Sequence, residues 1–207
     1  MFLSIYQYIK KLSPKIKGQL FKLFLSSKKL SIGKNFQCDT WPSLIIDKNA
    51  KIIIGDNIQL RRNVEIRAHG NSTIILKGNN RIDRGVRILG NNESEIFIDV
   101  NTRIGLYTVL NGGDSIKIGK KVLISGYVYL QTSMHNHQKG SNVQDQGYKH
   151  GPVHLEDDVW LGAHVVVLPD IMIRKGCIIG SNAVVTKSTE KGNVLVGIPA
   201  KPINERS

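Results

Sequence analysis

Several things are scarce in this 207-residue chain, and each scarcity excludes something. Only two cysteines occur, Cys38 and Cys177, too few for a disulfide scaffold and suited to a reducing compartment. No apolar run reaches the ~18–20 residues a spanning helix needs, which excludes a helical integral membrane protein. Aromatics make up only 6%, while Ile, Val, Gly and Asn are plentiful. At 41% hydrophobic and 22% charged, the composition is that of a folded protein, one domain or one domain with a small appendage.

Acid is also missing where it would matter. Lys and Arg number 29 against 16 Asp and Glu, a formal charge of +13 that invites a nucleic-acid reading. Residues 1–30 hold seven lysines and no acid, the first being Asp39, so seven of the thirteen charges belong to that segment. Its apolar residues have helical spacing: Phe2, Ile5, Ile9 and Leu12, then Pro14, then Ile16, Leu20, Leu23 and Phe24. Two short basic amphipathic helices with a break at Pro14 are predicted. They would pack on the rest of the protein or lie on an anionic membrane surface. Lys10, Lys11, Lys15 and Lys17 interrupt any secretory apolar core, so a signal peptide is not expected. A cytoplasmic protein, in one reading peripheral at the inner face of the membrane, is the expectation.

What the chain has in abundance is a six-residue period. Aliphatics fall at Leu155, Leu161, Val167, Ile173, Ile179 and Val185, with small or branched residues four positions later at Val159, Val165, Ile171, Cys177 and Ala183. Upstream run Ile54, Leu60, Ile66; Leu76, Ile82, Ile88; Ile98, Ile104, Leu110; and Ile118, Ile124, Leu130. Successive triplets are offset by 22, 22, 20, 37 and 18 residues, so insertions fall at the joints. A helix would scatter such residues around its circumference. Short strands joined by turns keep them on one side, and the intervening Gly, Asn, Asp and Lys are residues that bend easily. Three strands make a triangular coil of about 18 residues, and coils stack as parallel strands at roughly 4.8 Å. An all-β parallel β-helix of about six to seven coils follows. It spans 31–188, with a loop at 131–153, a helical segment at 1–30 and a C-terminal tail at 189–207.

The tiled motif in Ile118-Gly-Lys-Lys-Val122-Leu and Ile179-Gly-Ser-Asn-Ala183-Val resembles the hexapeptide-repeat acyltransferases. The stretch from Gly151-Pro-Val through Asp157-Asp-Val-Trp160-Leu-Gly-Ala163 and Val184-Val-Thr-Lys187 to Gly197-Ile-Pro-Ala-Lys201 resembles their maltose, galactoside and polysaccharide O-acetyltransferase branch. That resemblance implies a left-handed β-helix, a homotrimer with sites between subunits, acetyl-CoA as donor and a hydroxyl acceptor on a sugar.

Moving an acetyl group from a thioester to an alcohol needs a base for the hydroxyl proton, and histidine suits that near neutral pH. The 37-residue joint carries Thr132-Ser-Met-His-Asn-His-Gln-Lys-Gly, and the resemblance assigns the base to His135, with His137 as the alternative or as an acceptor contact. Family positions matching Ala163, Ser181, Thr186 and Lys187 contact coenzyme A, and Trp160 matches a tryptophan that walls the site. Ala163 and Ser181, 18 apart, should stack on one edge, where small side chains admit a pantetheine arm. A backbone N–H near Gly162 or Ala163 would stabilise the oxyanion, and Lys187 and Lys201 would meet phosphates. Asn111, Tyr107 and His150 are further acceptor-side candidates, since Gly105 stands where relatives place an acceptor-site Asn. Other departures are Leu155-Glu-Asp-Asp for Ile-Gly-Asp-Asp, Pro169-Asp170 for Pro-Gly, and Asn204 where relatives often have Arg.

The expected function is acetyl-CoA-dependent O-acetylation of a sugar hydroxyl, in a surface polysaccharide or its precursor, by direct attack in a ternary complex. N-acetylation of an amino sugar or nucleotide sugar is the alternative. A γ-carbonic-anhydrase-like metalloenzyme would need a second histidine five residues after His164, where Pro169 stands, so no metal is expected. A non-catalytic β-helix has no use for a His-bearing insertion. Nucleic acid is not an expected partner, because no aromatic-interleaved basic stripe or known motif accompanies the charge.

Overall fold

The computed structural model describes residues 2–206. Its body is a parallel β-solenoid of seven coils with three faces. Face A begins with Leu30–Ile32, face B with Gln37–Cys38 and face C with Ser43–Ile46, and each later coil adds one strand to each face. Faces A and C carry seven strands, and face B carries nine because the C-terminal hairpin extends it. The register is set by stacking like on like: Ile54 lies on Leu76, Ile82 on Ile104, Ile88 on Leu110, and Leu161 on Ile179. Every aliphatic of the six-residue period is buried. Each contributes about 1.5–3 kcal/mol by leaving water, and misplacing one strand by a residue would turn a whole ladder outward.

The corners explain the Asn and Gly content. Asn35, Asn57, Asn79 and Asn101 occupy one corner column at φ 52–63°, the left-handed region that Asn tolerates better than most residues. Their amides also pair up the stack, Asn35 Nδ2 donating to Asn57 Oδ1 at 3.0 Å and Asn57 Nδ2 to Asn79 Oδ1 at 2.9 Å.

Residues 2–25 form one continuous helix, α1 (Phe2–Leu25), with Pro14 inside it, instead of two helices broken there. Pro14 removes one backbone donor, but tertiary packing fixes the second half. Gly18 lies against the Phe36 carbonyl, where any side chain would clash, and Phe21 is buried beside Phe36 and Trp41 with ring centroids at 5.6 Å. Trp41 Nε1 donates to the Lys17 carbonyl at 3.2 Å, and Lys22 Nζ donates to the Gly33 carbonyl at 3.0 Å. The helix therefore seals the open end of the first coil. Its opposite face leaves Leu12, Ile16, Leu20, Leu23 and Phe24 in solvent. The side chains of Phe2, Ile5 and Ile9 lie outside the described residues. No helix among the described residues is long and apolar enough to cross a membrane.

Candidate functional site

The insertion between coils 5 and 6 leaves from the corner joining face C to face A. It is a β-hairpin in its own right: Ser133–His135 pairs antiparallel with Tyr148–His150, with a short 3-10 turn at Val143–Gln146 between them. This register puts His135 opposite Tyr148, their rings tilted with centroids 4.2 Å apart, so one edge of the exposed imidazole is held while the rest stays open. His137 Nδ1 lies 3.2 Å from the His135 carbonyl and Ser133 Oγ lies 2.9 Å from His150 Nδ1. A cavity of about 420 Å³ beside the hairpin is lined by Asn91, Asn111, Ser133, Tyr148 and His150. Asn111 and His150 thus share one pocket, and Asn111 Nδ2 donates to Tyr129 Oη at 3.0 Å. His135 and His137 are on the same hairpin but do not line that cavity.

The residues expected to hold the donor lie elsewhere on the triangle. Ala163 and Ser181 follow the face B strands of coils 6 and 7, at the corner joining B to C, and Asn182 N–H donates to the Ala163 carbonyl at 2.9 Å across the step. Gly162 is buried in the same step. A β-carbon there would sit 2.6 Å from the Ser181 nitrogen, so only glycine permits this approach of the two coils. The Gly162 N–H is consumed by Ile179 O at 2.8 Å, whereas the Ala163 N–H has no acceptor among the described residues. Of the two oxyanion donors named from sequence, only Ala163 is free for that task. Trp160 is half exposed on face B, its Nε1 donating to Ser125 Oγ at 3.2 Å. Thr186 and Lys187 are exposed at the far end of the face C strand of coil 7, and Lys201 begins the antiparallel tail strand opposite Val196. The donor candidates therefore spread across the top of faces B and C instead of clustering at one corner.

Tyr107 is not with Asn111. It sits on the B–C corner and stacks on Tyr127, which stacks on His164, with centroid separations of 5.4 and 4.9 Å. All three hold φ of 53–59°, a conformation costly for bulky side chains and taken in neighbouring coils by Asn63, Gly85 and Asn182. Tyr127 was missed in the sequence, although its 20-residue offset from Tyr107 is one coil length. Arg206 is also new, its Nη1 bound to Asp158 Oδ2 at 2.8 Å near the tail. The unusual Glu156 has a structural use. It accepts from the Lys175 backbone N–H at 2.8 Å and from Arg174 at 3.1 Å, and these bonds hold its carboxyl below the ordinary range.

The model of the family described as bacterial transferase hexapeptide (six repeats) matches residues 152–187, which form coils 6 and 7. A Schizosaccharomyces pombe protein named as an acetyltransferase is 38% identical over 91 residues, 44% of this chain and 43% of that one. Galactoside O-acetyltransferase of Escherichia coli is 31% identical over 93 residues, 44% of each chain. The chain thus spans less than half the length of these relatives. Among solved structures, an AntD N-acyltransferase variant from Bacillus cereus, in complex with dTDP and coenzyme A, superposes over 86% of this chain and 83% of its own. The TM-score is 0.58 at 22% identity, which speaks to the fold alone.

Proposed function

We propose that the protein is an acetyl-CoA-dependent O-acetyltransferase acting on a sugar hydroxyl of a surface polysaccharide or its precursor. The observation that carries this reading is the pairing of a donor-type edge, Gly162, Ala163 and Ser181, with a hairpin that presents His135 to solvent. His135 accepts the acceptor's hydroxyl proton as the oxygen attacks the thioester carbon. The oxyanion is met by the Ala163 N–H. The C–S bond then breaks, and the imidazolium returns its proton to the departing coenzyme A thiolate. Lys187 and Lys201 neutralise coenzyme A phosphates, and Trp160 walls the thioester end.

In one chain, the hairpin leaves the C–A corner while the donor edge occupies the B–C corner. A full face of about six residues separates them, roughly 15–20 Å, too far for a proton transfer that needs hydrogen-bond contact. This supports a homotrimer in which His135 of one subunit faces Ala163 and Ser181 of the next. The exposed apolar face of α1, with Lys15, Lys28 and Lys29 also exposed, supports contact with an anionic lipid surface. Co-sedimentation with anionic vesicles that survives the change Leu23→Glu/Phe24→Glu would remove that contact from the account.

His135→Ala should abolish acetyl transfer and leave coenzyme A binding intact. Full residual activity would sink the assignment of the base, and loss of coenzyme A binding would make the residue structural.

A further inference from the structure

Below the donor edge, the same B–C corner turns basic. Each residue that follows a face B strand donates its N–H to the coil above, giving the column Asp39, Arg61, Asp83, Gly105, Ser125, Gly162. The adjoining column reads Arg62, Arg84, Leu106, Gly126, Ala163, with carbonyls accepting from the next coil. Arg84 therefore stands directly above Arg62, and Arg103 above Arg81 in strand register. A cavity of about 370 Å³ opens among Arg61, Arg62, Arg81, Asp83 and Arg84. It continues downward into one of about 420 Å³ that reaches Ser13 and Lys17 of α1, and upward into one bordered by Arg103, Gly105 and Ser125.

This groove is under-neutralised. Asp39 meets Arg61 at 3.3 Å and Asp83 meets Arg81 at 3.9 Å, while Arg62, Arg84 and Arg103 have no acidic partner among the described residues. Like charges directly opposite on neighbouring strands are destabilising. Face C avoids the problem: Arg87 lies in register with Glu65 and binds its carboxylate at 2.8 Å, and Arg67, two residues along the strand, reaches the same group. At the B–C corner Asp39 and Asp83 each hold one arginine, and no carboxylate bridges the stacked Arg62 and Arg84, which is the arrangement expected where a ligand brings further negative charge. Arginines on adjacent coils have backbones about 4.8 Å apart, close enough for both guanidinium groups to reach the two phosphates of one diphosphate and bind its oxygens in bidentate fashion.

We propose that this arginine groove binds the diphosphate of a diphosphate-linked glycan acceptor, so that the sugar's carrier is recognised separately from the sugar. The inference rests on the acyltransferase reading for the position of the sugar. With the thioester at Ala163 in coil 6, the sugar would lie over the small residues Gly105, Ser125 and Gly126 of coils 4 and 5, beside the ring edges of the stacked Tyr107 and Tyr127. Its linkage then reaches coils 3 and 2, about 14–19 Å below Ala163, where Arg84 and Arg62 stand. The carrier beyond the phosphates is a nucleoside or a polyprenyl chain, and the experiment separates these sources.

The full-length protein, saturated with coenzyme A so that the donor's phosphate contacts are occupied, is titrated with inorganic pyrophosphate by calorimetry, alongside Arg62→Gln/Arg84→Gln and the charge-conserving Arg62→Lys/Arg84→Lys. The Gln variant should bind pyrophosphate at least roughly tenfold more weakly, and the Lys variant should recover part of the loss. Acetyl transfer is then compared for a free sugar, the same sugar on a nucleoside diphosphate, and the same sugar on a polyprenyl diphosphate in vesicles. kcat/KM for one or both diphosphate-linked forms should fall in the Gln variant, while the free sugar is unaffected. Equal pyrophosphate binding by all three proteins, or an equal loss on free and linked sugars, would overturn the proposal. Absence of transfer to any acceptor with pyrophosphate binding intact would overturn the acyltransferase reading and leave an anion site in place.

Discussion

Replacing Gly162 with Ala tests how closely coils 6 and 7 must approach to make the donor edge. The new methyl would lie 2.6 Å from the Ser181 nitrogen and 2.9 Å from the Ile179 oxygen, where ordinary contact begins near 3.4 Å. Backbone atoms cannot rotate away, so coil 7 must lift by about 0.8 Å. The 2.8 Å bond from Gly162 N–H to Ile179 O then stretches past useful length. Overpacking costs about 1–3 kcal/mol and the weakened bond about 1 kcal/mol, together about 2–4 kcal/mol. With a urea slope near 2 kcal/mol/M, the unfolding midpoint should fall by about 1–2 M. Gly126, one coil below on the adjoining column, is the control. Its added methyl meets Leu106 no closer than 3.2 Å, so Gly126→Ala should shift the midpoint by less than about 0.5 M. Coenzyme A affinity should weaken only in the Gly162 variant. Equal midpoints for the two variants, or a neutral Gly162→Ala, would refute the reasoning.

Other expectations follow from local contacts. Phe21→Ala should cost about 3–5 kcal/mol and expose the α1 amides to hydrogen exchange, while coils 3–7 keep their protection. Cys38 and Cys177 are both buried, and burial pushes the Cys38 thiol up to about 11. Neither should react with an alkylating reagent at pH 8 until the chain is unfolded, and rapid modification of native protein would contradict that packing. Glu156 titrates below its ordinary value of 4.5 because the Lys175 N–H and then Arg174 favour its charged form. Its contribution is present above pH 4.5 and lost as pH falls through the lowered value. Glu156→Gln should therefore lower Tm at pH 7, with the gap to the parent protein closing below about pH 4.5 in a melting series.

The coil interior was legible because a six-residue period has one geometric solution, and every residue it named is buried. The helix was misjudged at Pro14, since proline removes one donor but Gly18 and Phe21 dock on Phe36, a contact between segments that no local pattern contains. The insertion was visible as an interruption, yet its hairpin register was not, so Tyr148 beside His135 emerged only in three dimensions. Corner residues were legible as turn-formers but not as columns. A 22-residue repeat places Arg62 under Arg84, and that charge stacking becomes apparent only once the corner is built. The separation of His135 from Ala163 likewise depends on which corner each residue occupies, and it supports the proposed site between subunits.

That arrangement can be tested most directly by subunit mixing. In the proposed homotrimer His135→Ala removes the proposed base and Ala163→Trp fills the proposed donor edge, so each variant alone should be inactive. If the two variants are co-assembled in equal amounts, a site forms wherever an intact hairpin meets an intact donor edge on the next subunit, at roughly a quarter of interfaces. The account predicts recovery of about a quarter of parental acetyl transfer. No recovery above the separate variants, with mixed trimers demonstrated by mass, would contradict it.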